Sequence, residues 1–191
     1  MEAAEALEKL SLILMDKPPV KNVEKIPHAA YAPVIKRYCE LLHQRYGGRL
    51  MGVLLFGSIA RGDWEYNSDI DLLIVVDEWD DQPAWIRVRE LQRVRRRLRE
   101  TREYKTALEA GFTPIIQHYP LSLEEAKEFH RVYVDACIDG VILYDKNGFL
   151  EDIITSLRNT LAEMGARRIV IPGRGYYWVL KEVKLGEVFK L

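Results

Sequence analysis

The chain has few of the residues that staple small folds together. Its 191 residues include two cysteines, Cys39 and Cys137, far apart and in no Cys-x-x-Cys pattern. That excludes a disulfide framework and reads as two free, buried thiols. His28, His43 and His130 are scattered, without the spacing of metal ligands. There is no Walker-type Gly-Lys-Ser/Thr sequence and no nucleophile elbow. No apolar run approaches the ~20 residues that cross a bilayer. The opening MEAAEALEKL lacks the basic-then-apolar order of a secretory leader. The expectation is a cytoplasmic protein with no membrane contact. An excess of one charge is also missing: 28 Lys+Arg against 29 Asp+Glu leaves −1. Bulk attraction to nucleic acid is excluded, but a local basic patch is not.

What is present is a foldable composition, 48% hydrophobic and 30% charged. The length suits one domain with an appendage. Leu7, Leu10 and Leu14 predict a helix over 2–15, and Pro18-Pro19 stops it. Helices are expected at 31–46, 83–109, 122–138 and 149–164. The third opens with a capping box, Ser122 and Glu125. Continuous apolar runs at 50–56 and 70–76 predict strands buried on both faces. Further strands are expected at 112–119 and 140–144. The tail, 167–190, alternates β-favouring runs with glycines and predicts a small β-meander. The fold class is α/β (α+β): a short mixed sheet backed by helices, with a β-rich C-terminal appendage. The divisions expected are an N-terminal helix and linker (1–28), a core domain (29–148) and an appendage (149–191).

The chemistry concentrates in LFGSIARGDWEYNSDIDLLIVVD, residues 55–77. Glycine after a buried strand lets the backbone turn sharply and bring N–H groups to a ligand. A helix starting at Ser58 would leave its first amides unpaired, which favours phosphate. The Ser58 hydroxyl and Arg61, about one turn on, can reach the same anion. Asp69 and Asp71 are two apart at the start of a strand, so they share a face. Only ~7 Å apart along the chain, they repel unless a cation lies between them. Such oxygen ligands suit Mg²⁺. A phosphate cradle beside a dicarboxylate metal site describes phosphoryl or nucleotidyl transfer.

Phe56-Gly57-Ser58 followed by Asp69-Ile70-Asp71-Leu72 resembles the signature of the DNA polymerase β-type nucleotidyltransferase superfamily. The fuller Gly-Ser-x-Ala-Arg-Gly-Asp…Ser-Asp-Ile-Asp-Leu is similar to its minimal nucleotidyltransferases. The resemblance is tight over 50–77, looser over 31–145, and does not reach the N-terminal helix or 150–191. It implies that Gly57 and Ser58 hold a nucleoside triphosphate, with ATP the expected nucleotide. Asp69 and Asp71 would bind Mg²⁺, Ser68 and Arg61 would assist at the phosphates, and pyrophosphate would leave. The acceptor hydroxyl is open among a protein side chain, an RNA end and a small molecule. Such proteins are often paired with a separate helical partner protein, sometimes as toxin and antitoxin. The family normally adds a third carboxylate from a later strand. Here FTPIIQHY holds no acid, and Gln117 or His118 takes its place. Asp135 and Asp139, the nearest later acids, are expected on a helix and in a turn. The alternative is therefore a nucleotide- and metal-binding or partner-binding module without full activity.

Two further features stand out. Arg87, Arg89, Arg93, Arg95, Arg96, Arg97, Arg99 and Arg102 crowd residues 87–102, opposed there only by Glu90 and Glu100. They read as a solvated helix face, or as a contact for RNA or DNA that would make the chain an accessory binding protein. Arg174, Tyr176, Tyr177 and Trp178 follow glycine turns, and alternation predicts that about half of the aromatics pack inward.

Overall fold

A computed structural model describes residues 20–66 and 68–181. The helix expected at 2–15 and the end of the tail lie outside the described residues. The order is α1 (Ala32–Tyr46), β1 (Leu50–Phe56), α2 (Gly57–Arg61), β2 (Ile70–Val76), α3 (Ala84–Arg99), α4 (Arg102–Glu109), β3 (Ile116–Ser122), α5 (Leu123–Lys127), α6 (Arg131–Asp139), β4 (Val141–Asp145), α7 (Phe149–Glu163), β5 (Arg167–Ile171) and β6 (Gly175–Val179).

The first four strands form one mixed sheet in the order β3-β2-β1-β4. β1 lies antiparallel to both β2 and β4, and β2 runs parallel to β3. β1 and β2 are central, which is why their sequences are apolar at nearly every position. One face packs against α1 and α3, burying Leu55, Leu72 and Ile74 with Ile35, Tyr38, Leu91 and Leu98. The other buries Leu54, Leu73 and Val75 with Tyr133, Leu150 and Ile154. α7 approaches so closely that a Cβ on Gly52 would stand 2.3 Å from the Leu150 side chain. Residues 149–163 thus supply part of the core. Both cysteines are free and buried, as their isolation in the sequence suggested, and burial raises the pKa of each thiol.

Several elements depart from expectation. The helix expected over 83–109 is two helices, because Thr101 caps a new one: its Oγ1 donates to Leu98 O at 2.7 Å and accepts from Tyr104 N–H. The helix expected over 122–138 is also two, separated at Glu128–His130. The third strand begins at Ile116 rather than at 112. The tail within the described residues is a two-stranded hairpin, β5 with β6. Among the described residues no helix is long and apolar enough to cross a membrane.

The arginine-rich helix is only partly a solvated face. Arg87 is 3% exposed. Its Nε donates to Gln82 O at 2.7 Å, and its Nη atoms pair with the Glu125 carboxylate. Arg95 donates to Ile116 O, Arg97 to Gln44, and Arg89 lies over Trp85. Glu125 also accepts the Ser122 N–H at 2.9 Å, completing the expected capping box. One carboxylate thus neutralises a buried cation and caps a helix.

Glu125→Ala is expected to lower unfolding free energy by about 2 kcal/mol, because it strands the Arg87 charge and opens the cap. Urea denaturation checks this. Hydrogen bonding by Arg87 holds the Glu125 carboxyl below its usual range. The difference from wild type should therefore be full at neutral pH and shrink as pH falls through that depressed value.

Candidate active site

The sheet register assembles the site. Phe56 at the end of β1 stands opposite Asp71 near the start of β2, and Asp71 stands opposite Gln117 of β3. These three form one row across three strands, on the face that carries Leu73 and Val75. Asp69 precedes β2 on the same side, and both carboxylates are half-buried. The Gln117 amide donates to Asp69 Oδ2 at 3.1 Å.

Gly57 is bound to this row by sterics. Its φ is +75°, and a Cβ there would lie 2.2 Å from Asp71 Oδ2. Only glycine meets both conditions. The chain leaves β1, turns at Gly57 against the Asp71 carboxylate, and enters α2. That helix has five residues. It is too short for a large macrodipole, so any anion affinity rests on the local N–H groups of the turn and on Arg61. Arg61, at the end of α2, lowers the Asp71 pKa through its charge, which places it within electrostatic reach of that carboxylate.

The electrostatics favour a cation. Burial, and then repulsion from Asp69, push the Asp71 carboxyl up to about 6. Two hard oxygen donors on one face with a deficit of positive charge fit Mg²⁺, which takes one or two carboxylates and fills its remaining positions with substrate oxygens and water. Among the described residues no third His, Cys, Asp or Glu joins them in a metal-binding group.

The other predicted residues divide. Gln117 sits beside both aspartates. His118, the alternative for the third acid, faces the opposite side of the sheet by strand alternation. Its Nε2 lies 2.7 Å from Tyr38 Oη, and burial, with the Arg95 charge, lowers its pKa to about 4. It is a packed histidine and cannot reach the carboxylates. Ser68 closes a local turn: its Oγ accepts the Glu65 N–H at 2.8 Å. Asp135 accepts from Trp178 Nε1 at 2.8 Å, and Asp139 pairs with Arg168. Both lie on α6 and are committed to the hairpin. Tyr176 and Trp178 are half-buried, while Tyr177 is 50% exposed. Sequence reasoning missed that Arg61 meets this hairpin: its guanidinium lies 5.4 Å from the Tyr176 ring centre.

Two outcomes are expected. Gly57→Ala should cost about 2 kcal/mol in stability, since it forces a left-handed residue and collides with Asp71. The second concerns pH. The folded chain holds the Asp71 proton more tightly than the unfolded one does, so this group's stabilisation is full below about pH 4 and is lost as pH rises through 6. In chelator, Asp71→Asn should stabilise the fold at pH 7.5 by about 1 kcal/mol, a value discounted for solvent exposure. Near pH 4 it should do little. Thermal melts at both pH values check this.

The sequence profile of the family described as nucleotidyltransferase domain matches residues 35–148. A provisionally named protein adenylyltransferase of Methanocaldococcus jannaschii is 51% identical over 43 residues, 22% of this chain and 43% of that protein. The match therefore spans less than half the length of that relative. The fold is similar to a crystal structure of a toxin–antitoxin with AMP-PNP, 20% identical, covering 68% of this chain and 91% of the other at a TM-score of 0.39. It is also similar to a provisionally assigned nucleotidyltransferase of Sulfolobus solfataricus, 19% identical, covering 62% and 89% at a TM-score of 0.35. At those scores the two structures add no weight, and the assignment rests on the profile. With the Gly57-Ser58 turn and both aspartates inside a matched span of more than half the chain, the protein belongs to the nucleotidyltransferase domain family, as its signature implied.

Proposed function

We propose that the protein transfers a nucleoside monophosphate from a nucleoside triphosphate, ATP in the first instance, to an acceptor hydroxyl, with release of pyrophosphate. The observation that carries this is the seating of the Gly57 backbone on the Asp71 carboxylate. It supports the reading because the turn taken as the phosphate cradle packs against one of the two carboxylates taken as cation ligands. The N–H groups after Gly57, with the Ser58 hydroxyl, bind the triphosphate. Arg61 balances its charge from one side. Asp69 and Asp71 would hold Mg²⁺, which when bound neutralises phosphate charge and polarises the reacting phosphorus. Gln117 orients Asp69 through its amide hydrogen bond. Ser68 accepts the Glu65 N–H through its Oγ and keeps its O–H to donate to a phosphate oxygen.

A second reading has one specific observation behind it. Gln117 stands where the third carboxylate is expected, and an amide takes no proton at neutral pH. That favours a module that binds nucleotide and cation and transfers slowly. The acceptor best supported is a protein hydroxyl, because the relative from M. jannaschii carries a protein adenylyltransferase name. An RNA end, a small molecule and a separate helical partner are tested alongside it. RNA binding through residues 87–102 has less support, since Arg87 is committed inward and Arg95 bonds the backbone of β3.

With α-labelled ATP and Mg²⁺, wild type should release pyrophosphate and label an acceptor. Asp71→Asn should lower the rate at least about 100-fold, as expected when a metal ligand is lost. Gln117→Glu should raise it. ATP binding without transfer in wild type, with transfer appearing in Gln117→Glu, would establish the binding module instead. No ATP binding to wild type would sink both.

A further inference from the structure

The C-terminal hairpin reaches the active site through one side chain. Arg61 is half-buried, at the end of the helix that follows the Gly57 turn. Its Nη1 donates to Tyr176 Oη at 3.4 Å, and its guanidinium covers the Tyr176 ring. The same ring carries a second guanidinium, that of Arg168, at 4.8 Å. Two cations on one ring repel unless each has its own anion. Arg61 has Asp63, with Nε 3.1 Å from the carboxylate, and Arg168 has Asp139. Trp178, two residues on in the same strand, donates to Asp135 of α6, the helix that also holds Asp139. The ring therefore meets two guanidinium groups, and one of them, Arg61, also reaches its hydroxyl. The Asp63 carboxylate, by contrast, is 58% exposed and a weak anchor alone.

We propose that Tyr176 is a positioning residue for nucleotide phosphates: the hairpin clamps the face of Arg61 so that the guanidinium's edge stays turned toward the Gly57-Ser58 turn. This rests on the nucleotidyl-transfer reading above. A guanidinium stacks through its plane and hydrogen-bonds through its edge, so the two uses do not compete. In the free protein Asp63 accepts from Nε of that edge, and the Tyr176 hydroxyl accepts from Nη1 at the longer distance of 3.4 Å. A triphosphate, with more charge and more acceptor oxygens, displaces Asp63 while the stack on Tyr176 persists. Arg61 then enters the bound state with its rotamer already selected, which lowers the entropic cost of binding. The hairpin becomes part of the binding site without touching the nucleotide.

The test is calorimetric titration of full-length protein with ATP and Mg²⁺. Tyr176→Leu keeps apolar bulk in the hairpin and removes the ring. It should weaken binding about tenfold, the scale of one charge-assisted contact. Tyr176→Phe keeps the stack and should lose less than about threefold, since only the long hydroxyl contact goes. Arg61→Ala should match Tyr176→Leu, and the double variant should be no worse than Arg61→Ala alone. A second readout needs no nucleotide: the upfield ring-current shift of the Arg61 side-chain resonances should be present in wild type and Tyr176→Phe and absent in Tyr176→Leu. Wild-type binding that Tyr176→Leu leaves unchanged overturns the clamp and spares the nucleotide reading, as do additive effects in the double variant. An intact ring-current shift with no ATP binding to wild type overturns the nucleotide reading, and the positioning role falls with it.

Discussion

The structure turns on two carboxylates that repel each other on one face of a buried strand. Asp71 stands in a strand whose other residues are all buried, and among the described residues the Arg61 charge offsets it only in part. Gly57 packs its backbone on that carboxylate, Gln117 hydrogen-bonds its neighbour, and Arg61 approaches from one side. The core is otherwise conventional, with two apolar clusters separated by a four-stranded sheet. Two like charges at the end of such a sheet are a cost that a bound cation would remove.

The site is held from three directions. β1 delivers Gly57, β2 delivers the aspartates, and β3 delivers Gln117. The parallel pairing of β2 with β3 matters most, because it sets which residue of FTPIIQHY stands beside Asp71. A slip of one residue would exchange Gln117 for His118 and turn a packed histidine into a site residue. α6 then links the site's face of the sheet to the hairpin, through Asp135 and Asp139.

Legibility followed the strength of local constraints. The two central strands were readable to the residue, because burial on both faces leaves uninterrupted apolar runs. Gly57, Asp69 and Asp71 were readable as a group because backbone approach and paired acids admit few other residue types. The helix break at Thr101 was less visible, since the apolar spacing of α3 runs on toward α4 and only a capping hydroxyl interrupts it. Ser68 has a residue type that fits phosphate, and its hydroxyl oxygen accepts the Glu65 N–H while its O–H stays available as a donor.

By itself the sequence determined the class of fold, the turn, the carboxylate pair and the family, because each depends on residue type at short spacing. Tertiary structure alone decided the rest. Strand register chose Gln117 over His118. Burial took Arg87 out of the basic face. The docking of the hairpin brought Tyr176 to Arg61, 115 positions away along the chain. No local periodicity encodes contacts of that separation, since they arise only when two independently formed elements pack on the same helix.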